Sequence, residues 1–146
     1  MKAVIVSACL LGLETRYDGR NCRRRQVVDL ITSGNIIPVP VCPEQLGGLP
    51  TPRAPSEITA GDGFSILDGD ARILASTGED VTQSFIRGAE AALRIAQLSG
   101  AKRALLKGGS PSCGAGAIRR GDETVSGFGV TAALLKRAGL EIEEIE

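Results

Sequence analysis

Cys9, Cys42 and Cys113 each stand just past a short apolar run: Ala3 to Val6, Ile36 to Val41 and Ala104 to Leu106. If those runs are parallel strands of one open α/β sheet, their carboxyl ends share an edge, and residues distant in sequence meet in the crevice there. Three thiolates meeting in one crevice make a soft-metal site that lacks a fourth ligand. Such ligands select zinc, copper(I) or iron-sulfur clusters, and an open coordination position is the mark of a catalytic rather than a structural site. Cys22 differs, lying in Arg20-Asn21-Cys22-Arg23-Arg24-Arg25 at the start of a helix, and is a candidate fourth ligand. The competing view is that all are small buried hydrophobes, which free cysteine usually is. Strand-end placement beside Gly and Pro loop signals favours the ligand reading for Cys9, Cys42 and Cys113, and the arginine run reads as a solvated face.

The elements that must position these thiols alternate along the chain as strand and helix, the α/β signature. Lys2 to Ser7 reads as a buried strand, and after a polar loop over Gly12 to Asn21 the spacing predicts a helix from about Arg23 to Ile31. Val27, Val28 and Ile31 share one face of it, and Gly34 caps its end. Ile36 to Val41 follows as a strand that Pro38 and Pro40 confine to a sheet edge or leave irregular. Pro43 to Gly63, carrying Pro43, Pro50, Pro52 and Pro55, is too long for a connector and reads as a functional loop over the site. Phe64 to Leu74 predicts an accessory hairpin around a type I′ turn at Asp68-Gly69, with Phe64 opposite Ile73 and Ile66 opposite Ala71. Val81, Phe85, Ala89, Ala92, Leu93 and Ala96 recur at helical spacing, with Thr77 or Asp80 to cap the start and Gly100 to end the helix. Ala104 to Lys107 is a further strand, Gly108 to Gly129 a second long glycine-rich loop, Val130 to Ala138 a helix capped by Gly139, and Leu140 to Ile145 a last strand. The expected fold class is therefore α/β, a single three-layer Rossmann-like domain over residues 1–146 with a mainly parallel sheet and an accessory β-hairpin. Right-handed crossovers would make the three strands that precede the cysteines parallel neighbours.

Composition narrows the chemistry. Lys plus Arg is 17 and Asp plus Glu is 17, so zero net charge gives no general pull toward nucleic acid or an anionic membrane. Aromatics at 3% leave few platforms for stacking bases. The chain has no histidine, which removes Ser-His and Cys-His nucleophile pairs, histidine zinc motifs and imidazole proton shuttles together. Val6-Ser7-Ala8-Cys9 resembles a lipoprotein cleavage box, but only Ala3 to Val6 precede it where a secretory signal needs about 7 to 15 apolar residues. No run approaches the ~20 apolar residues of a membrane span. The expectation is a cytoplasmic protein with reduced thiols.

Lys107-Gly-Gly-Ser110-Pro-Ser-Cys113-Gly-Ala-Gly has the glycines of an anion-binding loop but not the order of residues in a phosphate-binding motif. It fits better as a loop whose amides face a metal or sulfide. Taken in order, Ser7-Ala-Cys9-Leu-Leu-Gly12, Arg16-Tyr-Asp18-Gly19, Pro40-Val-Cys42-Pro-Glu44, Gly48-Leu-Pro-Thr-Pro-Arg53, Ser110-Pro-Ser-Cys113-Gly114 and Gly127-Phe-Gly-Val-Thr-Ala-Ala-Leu-Leu135 resemble the thiouracil desulfurase family over essentially the whole chain. The resemblance implies a 4Fe-4S cluster held by Cys9, Cys42 and Cys113, with the fourth iron free to take the sulfur of a thiolated base or nucleoside. It also implies that Glu44 and Ser110 are the catalytic acidic and hydroxyl residues, and it leaves Cys22 outside the matched motifs. Gly108-Gly109 stands where family members usually carry a charged pair.

The residues fit such a reaction on physical grounds. An open iron is a Lewis acid for a soft thiocarbonyl sulfur and would polarise the carbon for attack by water. Glu44, two residues from Cys42, is suited to deliver or accept a proton beside a negatively charged cluster. Ser110 is placed to hydrogen-bond the heterocycle or the leaving sulfur, and Lys107, Arg16 and Arg53 to offset the cluster's charge. The blander roles are a solvated loop carboxylate for Glu44 and a turn or capping hydroxyl for Ser110. Two other functions share much of this sequence: a non-catalytic iron-sulfur or sulfur-carrier module, and a small anion-binding α/β protein with incidental cysteines.

Overall fold

The computed structural model describes residues 2–146. Strand β1 (Lys2–Ser7) runs at the centre of a four-stranded sheet, and its Val4, Ile5 and Val6 are all buried because both faces are covered. Helix α1 (Arg25–Thr32) carries the chain to β2 (Ile36–Val41), parallel to β1 in the register Lys2 to Ile36 through Ser7 to Val41. β2 is the edge strand, where the missing donors of Pro38 and Pro40 leave no ladder bond unmade. The chain then crosses to the other side of β1, where β5 (Arg103–Lys107) pairs parallel with β1 and β8 (Glu141–Ile145) pairs parallel with β5.

Reversing direction across a sheet of right-handed crossovers moves the connecting helices to the opposite face. The burial pattern follows that rule. Val4, Val6 and Leu105 pack with Val27 of α1 and Leu10, while Ile5, Ala104 and Leu106 pack on the other face with Ala96 of α4 (Thr82–Ser99) and Leu135 of α5 (Val130–Arg137). The three-layer α/β expectation is met. Helix α4 begins close to where the sequence places it, but neither Thr77 nor Asp80 is its N-cap residue: Val81 holds that position without a side-chain cap bond, and Asp80 Oδ1, one residue earlier, accepts from the Thr82 amide at 3.0 Å. Gly100, at φ +72°, ends it.

The accessory structure differs from the sequence reading in three places. The predicted Phe64 to Leu74 hairpin does not form. Gly63–Leu67 is the short helix α3, started by a capping box in which Asp62 accepts from Phe64 N while Ser65 accepts from Asp62 N. Gly69, which with Asp68 reads in the sequence as a type I′ hairpin turn, instead follows the helix end at φ +81°, its amide donating to Ile66 O. Phe64 faces Phe128, with ring centroids 5.6 Å apart, and not Ile73. Pro43 to Gly63 is likewise no plain loop: it holds the single-turn helix α2 (Pro43–Leu46) and β3 (Ser56–Ile58), which pairs antiparallel with β4 (Ile73–Ala75). Gly108 to Gly129 contains the second hairpin, β6 (Ala115–Arg120) and β7 (Glu123–Phe128), around a Gly121-Asp122 turn. These pieces close around their own core of Ile58, Ile66, Ile73, Phe85, Ile118 and Val130, which seats the hairpins over the carboxyl edge of the sheet.

Candidate active site

Ser7 and Val41 end neighbouring parallel strands in register, so the segments after them leave the sheet side by side. The first turns at once into a 3-10 helix (Ala8–Leu11) ended by Gly12 at φ +91°, a conformation open to glycine at little cost. Cys9 lies in that turn, and its carbonyl accepts from Gly12 N at 3.2 Å and Cys22 N at 2.8 Å, which draws Cys22 in beside it. Cys42 is the residue before α2, with Pro43 at the first helical position, where its missing N–H costs nothing. Glu44 follows within that turn.

Cys113 is fixed differently. Ser110 Oγ accepts from Ser112 N at 3.0 Å and Cys113 N at 3.1 Å, folding the loop after β5 into a tight turn. The carbonyls of Pro111 and Ser112 then receive the otherwise unpaired amides of Val130 and Thr131 at 2.8 and 2.9 Å, so this loop caps α5. A buried contact of 3.0 Å between the Ser112 and Thr131 hydroxyls locks the two together. The motif Ser-Pro-Ser-Cys is thus explained: one serine folds the turn, the other ties it to the helix.

Cys9, Cys42, Cys113, Glu44 and Ser110 all line one cavity of about 780 Å³ at the carboxyl edge of the sheet. Cys22 lines it too, with 6% of its surface exposed, and Arg16 Nη1 donates to its sulfur at 3.5 Å. Burial pushes the Cys9 thiol up to about 12; the neighbouring Cys22 and Cys42 sulfurs add to this and Lys107 opposes it. Burial likewise pushes Cys113 up to about 12, against a hydrogen bond from Ser7 and with Cys9, Cys42 and Glu44 adding their charge. Each thiol therefore feels the others. Among the described residues no three His, Cys, Asp or Glu are gathered for a single metal ion.

Glu44 is paired. Arg53 Nε donates to Glu44 Oε1 at 3.0 Å, with both side chains largely buried. Among the described residues no donor is paired with Glu44 Oε2. Ser110 accepts two amides with its oxygen, and its own proton is left to donate. Lys107, whose ammonium donates to Gly108 O at 3.0 Å, and Arg16 are further cations on the cavity wall.

Residues 4–146 match the 2-thiouracil desulfurase family. The chain belongs to that family. It is 42% identical over 142 residues to an uncharacterized Bacillus subtilis (strain 168) protein, YbbK, covering 95% of this chain and 93% of the relative. A solved structure described as the [4Fe-4S]-dependent thiouracil desulfidase TudS is similar at a TM-score of 0.83 and 40% identity, covering 99% of this chain and 91% of the other. Within this family fold, three features of the site were missing from the sequence reading. Ser7 was quoted only as part of a motif, yet its Oγ accepts from Lys107 N at 3.0 Å and its hydroxyl serves Cys113. Arg53 was read as a loose countercharge and is the buried partner of Glu44. Glu144, in a strand read only for its apolar residues, accepts from the amides of Ala115 and Ala117 at 3.3 and 3.2 Å and holds β6 to the sheet. The alternation that buries Ile145 turns Glu144 toward the opposite side, but nothing local names its partners.

Proposed function

We propose that this chain removes sulfur from a thiolated nucleobase, replacing C=S by C=O with water and releasing sulfide, with no net redox change. The observation that carries the reading is the meeting of three thiols, a carboxylate and a hydroxyl in one cavity of a 2-thiouracil desulfurase family chain. The donor set suits an iron-sulfur cluster, because thiolates without histidine favour such clusters and zinc over harder metals. Cys9, Cys42 and Cys113, on three separate segments that line the cavity, would be the ligands that hold it. When bound, a 4Fe-4S cluster with one open iron supplies a Lewis acid for a soft sulfur atom.

The chain's own residues supply the rest. Glu44 holds its carboxylate at the wall by one oxygen and offers the other to a water or to the departing sulfur as proton acceptor or donor. Ser110 donates its hydroxyl proton to a ring carbonyl or nitrogen of the base and so fixes its orientation. Lys107, Arg16 and Arg53 place positive charge on the cavity wall, where it offsets negative charge. No helix among the described residues is long and apolar enough to cross a membrane, and the substrate is a small thiolated base or nucleoside that enters from solvent.

Anaerobic reconstitution with iron and sulfide, followed by incubation with 2-thiouracil, tests the reading. Stoichiometric uracil and sulfide from the iron-loaded protein, and none from the metal-free protein, are expected. Full iron loading without turnover on thiolated bases or nucleosides would leave a non-catalytic iron-sulfur module, and failure to bind iron at all would discard the cluster.

A further inference from the structure

Arg53 is the most completely engaged side chain in the molecule. Its guanidinium has five N–H donors, and five acceptors meet them: Glu44 Oε1 at 3.0 Å from Nε, Pro50 O at 3.2 Å and Thr51 Oγ1 at 2.8 Å from Nη1, and Thr15 O at 3.0 Å and Cys42 Sγ at 3.9 Å from Nη2. Its own amide donates to Tyr17 O at 2.7 Å. Only 6% of the side chain is exposed. The acceptors come from three separate segments: the loop after β1, the turn that carries Cys42 and Glu44, and the residues just before Arg53 itself. Arg16 and Lys107, by contrast, spend few donors on protein acceptors and keep the rest for the cavity.

We propose that Arg53 is the positioning residue of this site, fixing the Glu44 carboxylate and the Cys42 sulfur in one rigid relation and touching neither substrate nor reacting atoms. The inference rests on the roles proposed above for Glu44 and Cys42. A guanidinium with every donor spent cannot turn to a ligand without giving up a buried bond, so its action must pass through the groups it holds. On the carboxylate it takes Oε1 and thereby leaves Oε2 as the oxygen that works. On the sulfur it places an N–H, and hydrogen bonds to ligand sulfurs raise a cluster's reduction potential by favouring the more negative, reduced form. A lysine keeps the charge but not the planar fork, and it cannot reach both partners at once.

The test compares anaerobically reconstituted parent, Arg53→Lys, Glu44→Gln and the double variant, with 2-thiouracil as substrate and the cluster potential measured by dye-mediated titration. Arg53→Lys is expected to keep its iron, to lose about 10- to 100-fold in kcat with KM within about threefold, and to have a more negative potential. In the Glu44→Gln background the same change is expected to cost less than about twofold, because residues acting as a unit are not additive. Additive losses in the double variant, or an unchanged potential, overturn the proposal. A parent protein that binds iron but leaves thiouracil intact overturns the functional reading instead, and the potential alone then decides on Arg53. Should Arg53→Lys fail to fold, Thr51→Val withdraws one acceptor while leaving the guanidinium in place; a kcat loss of about 3- to 10-fold, absent in the Glu44→Gln background, is expected, and no loss rejects the assignment.

Discussion

Gly47 and Gly88 face each other where α2 crosses α4, and neither position has room for a methyl group. A Cβ on Gly47 would meet the carbonyl of Ser84, and one on Gly88 the carbonyl of Pro43, both well inside van der Waals contact. The close approach presses the single turn that carries Cys42 and Glu44 onto the longest helix of the fold, which is how so short an element is held. Gly88→Ala gains about 1 kcal/mol of helix propensity but costs about 1 to 3 kcal/mol in overpacking against backbone that cannot yield. A net loss is expected, seen as a melting temperature lower by a few degrees together with reduced iron uptake on reconstitution. A variant that melts at or above the parent temperature and loads iron normally would show that α2 does not depend on this contact.

The framework of this fold was legible because its signals were redundant. β1, β2 and β5 have apolar centres bounded by turns or caps, β8 follows a helix ended at Gly139, and α4 combines helical spacing with Asp80 at its start and Gly100 at its end. The hairpins were not legible, because their signals were shared. Asp68-Gly69 serves a helix end as well as it would a hairpin turn, and the deciding feature was the capping box of Asp62 and Ser65 just before it in the run. The Gly121-Asp122 turn lay among so many glycines that the weak alternation of Ile118, Thr124 and Val125 was read as loop. At the site, strand-end spacing pointed to Cys9, Cys42 and Cys113 and the family resemblance to Glu44 and Ser110, and all five line one cavity. The pairing of Glu44 with Arg53 depends on how the intervening chain returns, which no local pattern encodes.

The four cysteines line one cavity, and the ligand set proposed for them is tested one residue at a time. After anaerobic reconstitution, single Cys→Ser changes at 9, 42 and 113 are each expected to lower bound iron and labile sulfide severely. The same change at Cys22, whose sulfur is held by Arg16 at 3.5 Å, is expected to leave both near the parent value. Equal loss in the Cys22 variant, or none in any one of the other three, removes the assignment.

Glu44→Gln keeps the volume and a hydrogen-bond acceptor for Arg53 but cannot exchange a proton. It is expected to retain the cluster and lose about 10²- to 10⁴-fold in kcat. Ser110→Ala is expected to lose about 1 to 3 kcal/mol of transition-state stabilisation, and also to release iron faster, since Ser110 Oγ anchors the amides of Ser112 and Cys113. Normal turnover by Glu44→Gln at neutral pH rules out its role, and an iron-release rate unchanged by Ser110→Ala rules out the anchoring role.

The thiols of the metal-free protein carry a pH signature. Burial raises Cys9 and Cys113 from 9.0 to about 12, so the folded state holds protons that the unfolded chain gives up sooner. Stability from this source is whole below about pH 9 and is lost as pH rises through about 12. Denaturant midpoints of the metal-free protein are expected to fall over that window, and to fall less in Cys113→Ala. Parallel declines for the two proteins would mean that other groups govern the alkaline limb.

Glu144 and Glu143 are adjacent carboxylates of β8 with opposite expected importance. Glu143 pairs with Arg103 at 2.8 Å on the open surface, an arrangement worth at most about 1 kcal/mol. Glu144 stands at the junction of β5, β6 and β8, where Oε2 accepts from two amides of the β6 hairpin and the carboxylate lies against Gly108 and Gly116, so that a Cβ at either position would displace it. The missing side chain at Gly108 leaves the space that the Glu144 carboxylate occupies. That carboxylate ties the start of β6, which follows the Gly108 to Gly114 segment holding Ser110 and Cys113, to the sheet. Glu144→Ala leaves two backbone donors without their acceptor, and a loss of about 1 to 3 kcal/mol is expected, with iron released to a chelator several-fold faster than from the parent. Glu143→Ala is expected to change neither measurement by much. If the two variants melt alike and release iron at the same rate, the hairpin is held by its own strand pairing, and the Cys113 loop owes nothing to Glu144.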